Sequence, residues 1–243
     1  MKNKYLKILL LASCALIPFG GLGAKEEIRD IFFEIHNDEI KSAMERKVSM
    51  KKFEKFFCEV YWLKDQKEVV VVADELKAGV RAAVRKICER KSDIVIPASF
   101  DKYLNPFEKS GVKGDWDIYV DQTGVNSINE VWVKRSPLKE EFIEKRPTGT
   151  TKLHYTYQKV KGLKRLKEVK MSSYEGVQNI SSKTVIYYAK IDKYLLPVKA
   201  EVHTNQNLVK KEMGDFTRNI QETFYFKNYK VNASEALIYF SKR

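Results

Sequence analysis

What this chain lacks is reaction chemistry at a readable spacing. Its three histidines, His36, His154 and His203, are scattered, and no His-x-x-x-His or Cys-x-x-Cys pair offers ligands to a metal. No Gly-x-Ser-x-Gly elbow is present, so the strand-turn-helix nucleophile of the α/β-hydrolases has no counterpart. No glycine-rich loop cradles a phosphate. Asp115 and Asp117 flank Trp116, an acid–tryptophan grouping known from sugar-active sites, but acids at alternate strand positions ordinarily face water. The chain is therefore read as non-enzymatic: no catalytic residue is assigned, and no metal or cofactor is expected.

Long apolar runs are scarce too. The one example lies at the start, where Lys2, Lys4 and Lys7 precede the apolar stretch Ile8–Phe19 and then Gly20, Gly21, Gly23 and Ala24. Charge, apolar core and small residues in that order are the layout of a secretory signal peptide over residues 1–23, leaving a mature start near Ala24 or Lys25. The uncharged run Ile8–Ala24 is 17 residues long and holds Pro18 and three glycines, at the lower limit for a spanning helix. A rival motif sits inside it, since Leu11-Ala12-Ser13-Cys14 resembles the lipobox at which bacterial lipoproteins are acylated. The expected location is the periplasm or the exterior, with a lipid anchor through Cys14 as the alternative.

Beyond Cys14 only Cys58 and Cys88 remain. Two cysteines in an oxidising compartment most simply pair; the alternative is two buried free thiols. The formal charge is +13, or +10 without the three lysines of the leader. Such a surplus favours anionic surfaces, among them lipid headgroups, lipopolysaccharide and acidic glycans. Nucleic acid is not an expected partner, because no recognition motif accompanies the charge. About 220 mature residues are enough to bury a core, in one or two domains.

Two parts are expected, a helical one over residues 24–100 and an antiparallel sheet over 101–243. Lys25–Trp62 reads as helix, with Ile28, Ile31, Phe32 and Ile35 at helical spacing, then a second helix capped by Ser49 and carrying Phe53, Phe56, Phe57 and Tyr61. Val69–Val72 fits either strand or helix. Leu76, Val80, Ala83, Val84 and Ile87 mark a helix whose cations Lys77, Arg81, Arg85 and Lys86 face water. Residues 93–114 read as a connector. Strands are expected at Trp116–Asp121 and Ile128–Ser136, with a helical turn in the charged stretch Pro137–Pro147. From Leu153 onward the pattern alternates, with turns near Gly162, Glu175-Gly176 and Asp192-Lys193 and a polar loop over Gln206–Asp215. Turns every 10 to 15 residues suit hairpins, not crossover helices.

Trp116, Trp132, Tyr155, Tyr157, Tyr187, Phe224 and Phe226 all fall on expected strands. They are the candidates to line an apolar cavity; plain core packing is the alternative.

Thr184-Val185-Ile186-Tyr187-Tyr188, then Tyr194-Leu195-Leu196-Pro197-Val198-Lys199-Ala200, and last Phe224–Asn232 resemble the outer-membrane lipoprotein carrier (LolA-like) superfamily. The resemblance covers Leu153–Asn232. It implies an unclosed antiparallel barrel whose helices plug an apolar cavity that receives acyl chains. With it, the expected fold is α+β: a curved antiparallel sheet, an open half-barrel, with the N-terminal helices on its concave face. The expected function is a periplasmic binder or carrier of lipids or acylated proteins, with lipid, acyl chain or lipoprotein as partner and an anionic membrane surface nearby. The alternatives are a non-catalytic interaction or structural protein of the envelope and, third, an envelope hydrolase.

Overall fold

Alternation of side chains, not helical spacing, organises most of the chain. The computed structural model describes residues 28–46, 52–64, 66–96, 103–124, 127–160, 162–210 and 214–243. The leader with Cys14, and Ser49, lie outside the described residues. Twelve strands form one sheet: β1 (Asp30–His36), β2 (Phe56–Leu63), β3 (Gln66–Ala73), β4 (Glu108–Lys113), β5 (Trp116–Val120), β6 (Glu130–Ser136), β7 (Lys139–Arg146), β8 (Gly149–Val160), β9 (Leu163–Glu175), β10 (Gln178–Ile191), β11 (Tyr194–Lys210) and β12 (Gly214–Val231). Among the described residues three helices accompany them, α1 (Asp38–Met44), α2 (Ala78–Ser92) and α3 (Glu235–Ser241).

The strand order is β3-β2-β1-β12-β11-β10-β9-β8-β7-β6-β5-β4, and every pairing is antiparallel. From β4 to β12 the sheet is a meander. The chain's first three strands add to its far side, through β1 on β12. The sheet ends at β3 and β4 and does not close into a barrel. Positive φ at Gly176 (57°) makes the β9–β10 turn, as glycine allows at low steric cost. At Gly149 a Cβ would meet the backbone oxygen of Tyr174 at 2.0 Å, so the β8–β9 approach there requires glycine.

One face of the sheet is apolar over much of its width, from β6 across to β3. Val133 faces Phe142, which faces Leu153, which faces Met171. Further along, Ile186 opposes Ala200, and Ala200 opposes Phe224. On the other side of β12, Phe226 opposes Ile35, Ile35 opposes Cys58, and Cys58 opposes Val71. All of these are buried. Each large aliphatic or aromatic side chain hidden this way contributes about 1.5–3 kcal/mol. The nearer end of this face is covered by α2, whose Ala83, Val84, Ile87 and Cys88 recur at helical spacing and are buried. Cys58 and Cys88 form a disulfide that fastens α2 to β2. On the opposite face α3 lies over β1 and β2: Tyr239 stacks on Tyr61 with ring centroids 4.0 Å apart, and the Asp30 carboxylate accepts from the Ala236 N–H at 3.0 Å.

Several expectations need correction. The helical reading of Lys25–Trp62 gives way to β1, the seven-residue α1 and β2; Cys58 and the stripe Phe56, Phe57 and Tyr61 therefore sit on a strand, not a helix. Val69–Val72 resolves as strand β3, and the connector contains β4. The charged stretch Pro137–Pro147 is β7, not a helical turn. The polar loop over Gln206–Asp215 is largely strand, with β11 running to Lys210 and β12 starting at Gly214. Arg81 does not simply face water: its guanidinium donates to the carbonyls of Val71 (2.6 Å) and Ala73 (3.1 Å).

Candidate functional site

The seven aromatic candidates divide between the two faces. Tyr155, Tyr157, Phe224 and Phe226 lie on the apolar face and are at most 3 % exposed. Trp116, Trp132 and Tyr187 lie on the other. The two tryptophans meet with centroids 6.3 Å apart, and the Lys145 ammonium sits 3.9 Å over the Trp132 ring. Tyr187 is exposed and donates to Glu201 at 2.7 Å.

The apolar interior has a cover that is not part of the sheet. It consists of α2 and the chain after it, from which Ile94, Val95, Ile96, Leu104 and Phe107 are buried. A polar latch holds the second piece. The Tyr103 hydroxyl donates to Glu144 at 2.7 Å, and Arg146 donates to the same carboxylate at 2.7 Å. Glu144 is 1 % exposed, which it tolerates because both oxygens are engaged. Four residues along β7, Glu140 accepts from Tyr157 (2.6 Å) and Lys164 (3.0 Å). Burial, with the neighbouring carboxylate, holds the phenols of Tyr103 and Tyr157 protonated well beyond the ordinary tyrosine range. Beneath α2, among Ile35, Ile40, Phe56, Val84, Ile87 and Phe224, a cavity of about 10 Å³ remains, no larger than one water requires.

Lys91 is the unexpected residue of this interior. It sits at the last turn of α2, 4 % exposed, with its ammonium 4.9 Å over the Phe224 ring. Burial pushes its pKa down to about 8; nearby Glu222 acts the other way, and Arg90 adds to the depression. Glu222, itself desolvated, is pushed upward in turn. The spacing carried a signal, because Lys91 lies four after Ile87 and three after Cys88 on the apolar stripe. Tyr103, Glu140 and Glu144 gave no such sign.

The opposite face carries a trough over β8–β12. One cross-strand row runs His154, Lys170, Lys183, His203 and Gln221, each directly opposite the next. The next row runs Lys152, Ser172, Ser181, Asn205 and Asn219. Two adjoining cavities, of about 430 and 800 Å³, share Ser172, Ser181 and Asn205 and lie on these rows. Lysine and histidine line them, and among the described residues no carboxylate does. Glu168, one row away, pairs with Lys170 (3.2 Å) and Lys183 (3.0 Å). Burial works against its charge, but the two lysines outweigh that and hold its carboxyl below the ordinary range.

No protein-family model matches the chain, and no match to a curated protein or a solved structure is found.

Proposed function

We propose that the protein binds or carries lipids or acylated proteins outside the cytoplasm, receiving an acyl chain between the apolar face of the sheet and its cover. The observation that carries this reading is the pairing of a largely apolar inner face, interrupted by polar residues such as Glu140 and Glu144, with a cover that shares no strand pairing with it. Curvature belongs to the same proposal. Phe142 and Tyr155 are only 1 % exposed, although α2 contacts β1–β3, strands well away from theirs in the order. A sheet that curls round its apolar face, with α1 and α2 in the concavity, accounts for this. An open sheet also widens by moving its two ends apart, whereas a closed barrel would have to break ladder bonds. An acyl chain contributes about 0.8 kcal/mol per buried methylene, so a long chain offsets displacement of the side chains of Ile94, Val95, Ile96, Leu104 and Phe107. The resemblance of Leu153–Asn232 to the lipoprotein-carrier superfamily points the same way.

Titration with a fluorescent fatty acid tests the reading. Saturable binding is expected, tightened by Tyr103→Phe, which removes the latch to Glu144. Phe224→Glu should abolish binding, while Tyr187→Glu, on the other face, should leave it intact. A second reading, a non-catalytic interaction or structural protein of the envelope, is favoured by the small cavity under α2. It prevails if no saturable binding is found with either the parent or Tyr103→Phe.

A further inference from the structure

A twisted sheet is saddle-shaped, so the face away from the core is concave along one diagonal. The outer face carries a trough over β8–β12 whose lining is selective. It presents Lys152, Lys170 and Lys183 with His154 and His203 and, among the described residues, no acid. Lys170 and Lys183 stand directly opposite each other, an arrangement of like charges that destabilises a sheet unless a counter-charge sits nearby. Glu168 supplies one such charge from the side. The side chains of Lys170 and Lys183 remain more than half exposed, at 60 % and 51 %.

The neighbouring row has different chemistry. Ser172, Ser181, Asn205 and Asn219 are neutral hydroxyls and amides, and among the described residues no hydrogen bond engages their side chains. Together they offer donors and acceptors in close array. Cations beside free hydroxyls and amides match a ligand that carries carboxylate or phosphate groups on a hydroxyl-rich frame. We infer that this trough binds a segment of an acidic glycan, with Lys170 and Lys183 meeting the acid groups and Ser181, Asn205 and Asn219 meeting the sugar hydroxyls. Nucleic acid fits less well. Base stacking calls for several aromatic platforms; among the described residues the trough lining offers only Tyr174 and the smaller rings of His154 and His203.

Calorimetric titration of the full mature chain with hexagalacturonate tests this. One saturable site per chain is expected. Lys170→Gln/Lys183→Gln should weaken binding about tenfold or more through loss of two charge-assisted contacts. Ser181→Ala/Asn205→Ala should weaken it about fivefold, and Lys86→Gln, an exposed cation on α2, should not change it. Lack of binding to hexagalacturonate overturns the inference. So does an unaltered affinity in Ser181→Ala/Asn205→Ala, which would mean bare counter-ion attraction. Binding of phosphatidylglycerol vesicles through Lys170 and Lys183 that hexagalacturonate cannot displace would assign the trough to a membrane surface and likewise overturn it.

Discussion

Lys91 carries an ammonium group into the interior, over Phe224 and beside Glu222. Its pKa falls from 10.5 in the unfolded chain to about 8 in the folded one. Below pH 8 both states hold the proton, and the full penalty of the buried charge is present. Between pH 8 and 10 the folded state releases the proton while the unfolded state keeps it, so stability rises with pH. Urea denaturation should show a gain on the order of 2 kcal/mol across that interval. Lys91→Met should remove the slope and be the more stable protein at pH 7; a parent stability that falls steadily from pH 8 to 10 would contradict the account. Single residues were unevenly legible in the sequence. Tyr155, Tyr157, Phe224 and Phe226 stand together on one face, but period-two alternation within each strand does not reveal how strands register. Trp116, Trp132 and Tyr187 therefore could not be separated from them.

At the scale of elements, the missed strands share a physical cause. Phe32 lies on the side of β1 away from the main core, yet it is 9 % exposed, against Tyr61. Phe57 stacks on His36, and Tyr61 lies under α3. The β1–β2 region is covered on both faces, so apolar residues no longer alternate and their spacing imitates a helix. In β7 the pattern is inverted instead, because Glu140 and Glu144 point inward with polar partners around Phe142. The meander from β8 to β10 was readable because its outer face is mostly polar. The disulfide is an element-scale device as well, joining β2 to α2 across 30 residues. The chain-entropy model gives it roughly 3 to 4 kcal/mol. Cys58→Ala/Cys88→Ala should lose that much in urea denaturation and should also bind the fatty-acid probe faster, since α2 is no longer tethered. Unchanged stability and unchanged association rate would show that the tether does not govern the cover.

The whole molecule is an open sheet with two ends, and an unprotected end invites pairing with another chain. At β3 the protection comes from Arg81, which caps two strand carbonyls. At β4 it comes from the charged run Glu108-Lys109 and an irregular register near Gly111. Arg81→Ala should raise the fraction of dimer or larger species in analytical ultracentrifugation, and a strictly monomeric variant would refute this role. Photo-crosslinking with a diazirine-bearing fatty acid, followed by peptide mapping, tests whether the covered apolar face receives an acyl chain. Saturable adducts are expected on α2 and on inward residues such as Leu196, Phe224 and Phe226, more abundant in Tyr103→Phe. Adducts confined to the Trp116–Trp132 face, or labelling that never saturates, would contradict that expectation.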